Sequence, residues 1–143
     1  MFSDATHIDA STVQAYLETE YTVQAQTPFA LHIGELSTQL ASLHRAHGVN
    51  CSAFITAWNP HSEVTDAQAN VQHQQALLQH IHELSLQALP GVGQHPSNQW
   101  PGEESCLVLG LDLPHAKEIG IQFRQNAIVW AGADAVPALI LLR

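Results

Sequence analysis

The run at residues 51–58, CSAFITAW, is apolar at alternate positions of both parities. In extended conformation successive side chains point to opposite faces. A strand that is apolar on both faces has to lie inside a sheet with covering layers on both sides. The run at 127–131, AIVWA, makes the same demand. Two such segments predict a sheet buried between helices and exclude a chain built of helices alone.

The remaining segments supply the cover. A capping pattern at Ser11-Thr12-Val13-Gln14 opens a short helix to about residue 19. Residues 21–25 and 29–33 read as two strands, broken at Thr27-Pro28 and paired as a hairpin. Ser37 caps a helix through residue 46, with Leu36, Leu40 and Leu43 on its apolar side and Gly48 as its stop. Asn59-Pro60-His61-Ser62 reads as a turn. Thr65-Asp66-Ala67-Gln68 opens the longest helix, to about residue 88, with Leu77, Ile81, Leu84 and Ala88 in one stripe. Residues 89–102 (LPGVGQHPSNQWPG) read as a long loop. A strand follows at 103–111, a helix opened by Pro114, the strand at 127–131, and a final edge strand at 138–142. The fold class expected is α/β or α+β, with one mixed sheet of about five or six strands covered by helices. The strand–helix–strand order from Glu103 to Trp130 predicts those two strands to be parallel neighbours.

Length bounds the organisation. The 143 residues suit a single domain, 1–143, with an N-terminal helical segment at 1–20 and a core at 21–142. Charge narrows the partners. The net charge is -9, and the 4 basic residues (Arg45, Lys117, Arg124 and Arg143) are scattered. Without a basic patch to neutralise phosphates, neither nucleic acid nor an anionic membrane is an expected partner. No apolar run reaches membrane-spanning length and no signal peptide is evident, so the expected location is cytoplasmic. Cys51 and Cys106 lie in apolar runs and read as buried free thiols. The 10 histidines show no zinc-type spacing, so most of them read as solvated helix-surface residues, and neither a metal nor another cofactor is expected.

Several motifs together resemble a known family. They are Leu31-His32-Ile33-Gly34, Phe54-Ile55-Thr56-Ala57-Trp58-Asn59-Pro60-x-Ser62, Asn70 and Gly91-x-Gly93. Trp100-Pro101-x-Glu103-Glu104-Ser105 and Phe123-x-Gln125-Asn126-Ala127-Ile128-Val129-Trp130 continue the series in order. The pattern is similar to that of the domain of unknown function 3293 family, over about residues 21–142. Arg124 and His95 depart from it, where a small and an acidic residue are usual. The resemblance implies no activity.

The polar residues of these motifs fall at the ends of elements. Asn59 and Ser62 follow one central strand, Glu103, Glu104 and Ser105 open another, and Gln125 and Asn126 open a third. If the strand at 51–58 runs antiparallel to the other two, all three groups meet at one edge of the sheet. Asn70 lies seven residues before Leu77, on the buried stripe of its helix. It either ties down the Asn59-Pro60 turn or contacts a ligand. Glu103 and Glu104 point to opposite faces, so at most one can serve a site. Trp100, in the long loop, either closes over a ligand or anchors the loop. Three functions fit. The first is a binding module for a small polar ligand or a peptide, using Asn59, Ser62, Asn70, Trp100, Ser105, Gln125 and Asn126. The second is a hydrolase or transferase with Glu103 or Glu104 as its base. The third is a protein that pairs with a second copy, as a homodimer, through its last strand.

Overall fold

A computed structural model describes residues 6–97 and 101–143. Its helices are α1 (Ala10–Glu18), α2 (Thr38–Ala46), α3 (Ala67–Glu83) and α4 (Leu113–Gln122). Its strands are β1 (Glu20–Val23), β2 (Phe29–Leu31), β3 (Ser52–Ile55), β4 (Ala88–Gln94), β5 (Glu103–Leu109), β6 (Ala127–Ala131) and β7 (Ala138–Leu141). The strands form one sheet in the order β2-β1-β4-β5-β3-β6-β7. The α/β layering is as expected, with seven strands among the described residues in place of five or six. The expectation of a mixed sheet is corrected, because every described pairing is antiparallel.

β3 is the reason. It pairs antiparallel with β5 on one side and with β6 on the other. β5 and β6 therefore run parallel to each other, as the strand–helix–strand order implies, yet they are not neighbours. The connection through α4 steps across β3. All four residues of β3 are buried, which is what an interior position demands of a strand apolar on both faces.

Alternation along the strands divides the core into two layers. Ala53, Ile55, Cys106, Val108 and Ile128 face one side, where Leu77 and Ile81 of α3 and Ala116 and Ile119 of α4 pack on them. Phe54, Leu107, Leu109, Val129 and Ala131 face the other, against Leu40 of α2 and against Tyr21, Val23 and Leu31. His44 of α2 is buried here, with Nε2 2.8 Å from Ser52 Oγ. His44 is an exception to the surface position read for most of the histidines, and burial lowers its pKa.

Three boundaries differ from the reading of the sequence. α1 is capped by Asp9 without a side-chain bond, two residues ahead of the expected Ser11 box. α3 stops at Glu83, short of residue 88. The stop is Ser85 at φ 59, with Leu86 N–H donating to Ile81 O at 3.3 Å. This is a left-handed helix end formed without the glycine that ordinarily marks one. Leu84 and Ala88 accordingly leave the predicted stripe, whose buried members are Asn70, Gln74, Leu77 and Ile81.

The third difference is β4, read as loop because of Pro90, Gly91 and Gly93. Pro90 is tolerated because the ladder to β1 begins only at Gly91, so Pro90 lacks an N–H where the ladder has ended. Gly91 is required by close approach. A Cβ there would lie 2.7 Å from Phe54 Cε2 and 2.8 Å from Thr22 O. The Phe54 ring fills that space and meets Tyr21 edge to face, with centroids 5.3 Å apart. Gly91→Ala is expected to destabilise the fold by about 1–3 kcal/mol through this clash. Urea unfolding of the two proteins measures it, and an unchanged midpoint would show that the ring and β1 give way freely.

Candidate functional site

The antiparallel β3 brings three element ends together: the residues after β3, the start of β5 and the start of β6. The turn after β3 is held in a demanding conformation. Asn59, His61 and Ser62 have φ of 45, 56 and 61, in the left-handed region that non-glycine residues seldom occupy. Arg124, at φ 58, ends α4 beside it, and its carbonyl accepts from His61 N–H at 2.7 Å.

Side-chain amides hold this turn. Asn59 N–H donates to Asn70 Oδ1 at 2.8 Å, and Asn70 Nδ2 returns a bond to Asn59 Oδ1 at 2.8 Å. Asn59 Oδ1 also accepts from Thr65 N–H at 3.0 Å, and Asn70 Nδ2 donates to Thr65 O at 3.2 Å. Of the two roles open to Asn70, the structure places it in the tie-down of the turn. One turn further along α3, Gln74 Oε1 accepts from Ala57 N–H at 3.0 Å. The remaining Asn59 donor, Nδ2, reaches Glu103 Oε2 at 3.1 Å. Asn59 thus links α3 to the first residue of β5.

Glu103 and Glu104 face opposite ways, as alternation requires. Glu104 is exposed and borders a groove beside α3 and β4. Glu103 is partly buried and lines a cavity of about 260 Å³ on the other side of the sheet. Burial raises the Glu103 pKa above the ordinary carboxylate value, and the Asn59 hydrogen bond opposes the shift. Ser105 lies two residues on, on the same face, with its hydroxyl donating to Glu103 O at 3.0 Å. Gln125 also lines the cavity, and its Nε2 donates to Phe123 O at 3.3 Å and to Trp58 O at 3.4 Å.

The cavity's other wall is α1. Thr12, Ala15, Tyr16 and Thr19 line it, at the spacing of one helix face. Tyr16 Oη is hydrogen-bonded to Ser62 Oγ. Asn126 Nδ2 lies 3.1 Å from that phenol oxygen and 3.2 Å from Ser62 Oγ. Asn126 Oδ1 accepts from Arg143 Nη1 at 3.0 Å. Two further bonds tie α1 down: Tyr21 Oη donates to Tyr16 O at 2.6 Å, and His95 Nε2 lies 2.8 Å from Glu18 Oε1. Burial raises the Tyr21 pKa, with a smaller contribution from Glu103, so this phenol stays neutral.

The expected site residues therefore separate. Ser62, Glu103, Ser105 and Gln125 line one cavity. Asn59, Asn70 and Asn126 support that cavity through hydrogen bonds and do not line it. Glu104 belongs to the opposite face, and Trp100 lies outside the described residues. Tyr16, Tyr21 and the α1 wall were not anticipated. The sequence signal was the hydroxylic face of α1, Ser11, Thr12, Tyr16 and Thr19, and in the structure no residue of α1 is buried. A helix that contributes nothing to the core yet lies against a sheet is covering something other than core. Among the described residues, no group of three or more His, Cys, Asp or Glu side chains could hold a metal. Cys106 is sealed in the sheet, its thiol pushed up to about 12 by burial, and is no nucleophile. No helix is long and apolar enough to cross a membrane among the described residues.

Two measurements check this geometry. Asn70→Ala leaves the Asn59 amide and carbonyl oxygen short of partners, and is expected to cost about 2–4 kcal/mol in urea unfolding. A cost below 1 kcal/mol would refute the tie-down. For Glu103, burial makes protonation more favourable in the folded than in the unfolded chain. Its carboxylate therefore destabilises the fold above the raised pKa, and the effect is relieved as pH falls through that pKa. Glu103→Gln, which keeps the acceptor for Asn59, is expected to raise stability at neutral pH. That gain should vanish below the ordinary carboxylate pKa, as followed by melting temperature across pH.

No match was found among the curated proteins or among the solved structures. The family model described as "Protein of unknown function (DUF3293)" matches residues 55–128, from the last residue of β3 into β6. The matched span carries Asn59, Ser62, Asn70, Glu103, Ser105, Gln125 and Asn126, whereas α1, β1, β2 and α2 lie outside it. Because that span covers more than half of the chain, the protein belongs to the DUF3293 family.

Proposed function

We propose that this protein is a binding module for a small polar molecule, held in the cavity between α1 and the sheet. One observation carries the reading. Where the sheet face would otherwise continue its apolar core, it is lined by hydroxyls, an amide and a partly buried carboxyl. The aromatic residues Phe54 and Tyr21 line the same space. A few polar groups set in an otherwise apolar wall are what fix a ligand's orientation. The volume of about 260 Å³ favours a small molecule over a peptide, since ligand sites commonly span about 300–1,000 Å³.

The raised Glu103 pKa favours a second reading, general acid–base catalysis. The hydroxyls beside it weigh against a prepared nucleophile. Ser105 donates to the backbone carbonyl of Glu103, and Ser62 is engaged with Tyr16 and Asn126. Glu104 faces away and cannot be the base for this cavity. Pairing with a second copy would use β7, which stands at one edge of the sheet.

A thermal-shift screen of small metabolites tests the proposal, run on the wild type and on Ala15→Phe. Ala15 lines the cavity from the α1 side, so the ring fills the space without touching the sheet network. A ligand at about 100 times its Kd should raise the wild-type melting temperature by roughly 5–10 °C. It should leave Ala15→Phe unmoved. Equal shifts in both proteins would place binding elsewhere.

A further inference from the structure

Resting on the cavity as a ligand site, we propose that the ligand presents an ammonium group, which Glu103 receives as carboxylate, with its apolar part against Phe54 and Tyr21.

The charges around the cavity point this way. Among the described residues Glu103 is the one carboxylate lining it, and none of Arg45, Lys117, Arg124 and Arg143 does so. The other titratable groups facing the space are Tyr16 of α1, Tyr21 of β1 and His95 after β4. His95 is 2.8 Å from Glu18, a carboxylate outside the lining, and the Tyr21 phenol stays neutral. A carboxylate ligand would meet Glu103 with no fixed cation to offset the repulsion. A cation meets the opposite situation.

Hydrogen bonding agrees. Among the described residues Glu103 Oε2 accepts one bond, from Asn59 Nδ2, and Oε1 accepts none. A partly buried carboxylate can accept several, and an ammonium brings three donors together with the missing counter-charge. The other groups suit such a guest. Thr12 and Thr19 line the same space; Thr19 Oγ1 donates to Ala15 O at 2.7 Å, which leaves its oxygen free to accept. The faces of Phe54 and Tyr21 attract a cation or stack on an apolar tail. Desolvation disfavours the charged form of Glu103, so ammonium binding draws off its proton and couples affinity to rising pH.

The test compares isosteres by calorimetry at pH near 7.5. Benzylammonium, benzyl alcohol and benzoate share a ring and differ at one group. Propylammonium, propanol and propionate form a second set. The wild type is expected to bind at least one ammonium about tenfold or more tighter than its alcohol, and to bind neither carboxylate. Glu103→Gln should bring the ammonium to the level of the alcohol and leave the alcohol unchanged. Glu104→Gln removes the same charge from the opposite face and should change nothing. The proposal is overturned if neither ammonium binds, if an alcohol or carboxylate equals its ammonium, or if the ammonium survives Glu103→Gln. The wild-type comparison stands even if that variant fails to fold. The metabolite screen with Ala15→Phe separates the two levels. If neutral compounds bind in the cavity while ammonium probes do not, the site remains and the cation is lost.

Discussion

The reciprocal bonds between Asn59 and Asn70 are the constraint on which the rest of the site depends. Asn59 sits in the left-handed region directly after the central strand. A non-glycine residue holds that conformation only when its surroundings over-determine it. Here both its backbone N–H and its side-chain oxygen are taken by a buried residue of α3. With the orientation settled, the one group left to Asn59 is Nδ2, and Glu103 occupies it. The left-handed turn therefore positions the carboxyl of another strand. Its strain and the site are one feature.

The antiparallel placement of β3 makes that possible. A strand between β5 and β6 running against both delivers its C-terminal end to their N-terminal ends. Asn59, Glu103 and Gln125 are distant in sequence and close in space because of this order. Had β5 and β6 paired directly, the residues after β3 would have no reason to meet them. The sheet would then have to place its most apolar strand elsewhere.

What was legible in the sequence follows what local chemistry can specify. The interior position of β3 and β6, the Ser37 cap, the hairpin of β1 and β2 and the buried position of Asn70 all rest on periodicity or capping over a few residues. The meeting of Glu103 with Gln125 followed instead from the strand–helix–strand order, which makes β5 and β6 parallel. The misses share a cause, which is tertiary packing overriding a local signal. β4 is a strand because Gly91 leaves room for the Phe54 ring, a contact between segments far apart in the chain. α3 ends early because Ser85 adopts a conformation usually reserved for glycine. The hydroxylic face of α1 was not taken as a border of the site, because such a face is ordinarily read as solvent-facing. The amides misled in the other direction: their polarity marked the right region, but Asn59, Asn70 and Asn126 build the wall and do not form its surface.

The two faces of the sheet are unequal, and the inequality has a physical sense. On the α3 and α4 side, Ile55, Cys106, Val108, Leu77 and Ile81 are each almost completely excluded from water. On the other side the apolar layer spans Leu107 to Leu109 under α2 and gives way to Ser105 and Glu103 under α1. A chain selected only for stability would extend the layer to the end of β5, because a partly buried carboxyl disfavours its own charged form. Sites that break a local rule of this kind, while their neighbours obey it, are where function is concentrated. The same reasoning applies to α1, whose attachment runs through Tyr16, Tyr21 and Glu18 and through no buried apolar residue. An element attached in that way opens at lower free energy than the sheet it covers. A cavity walled by it can be entered without unfolding the core.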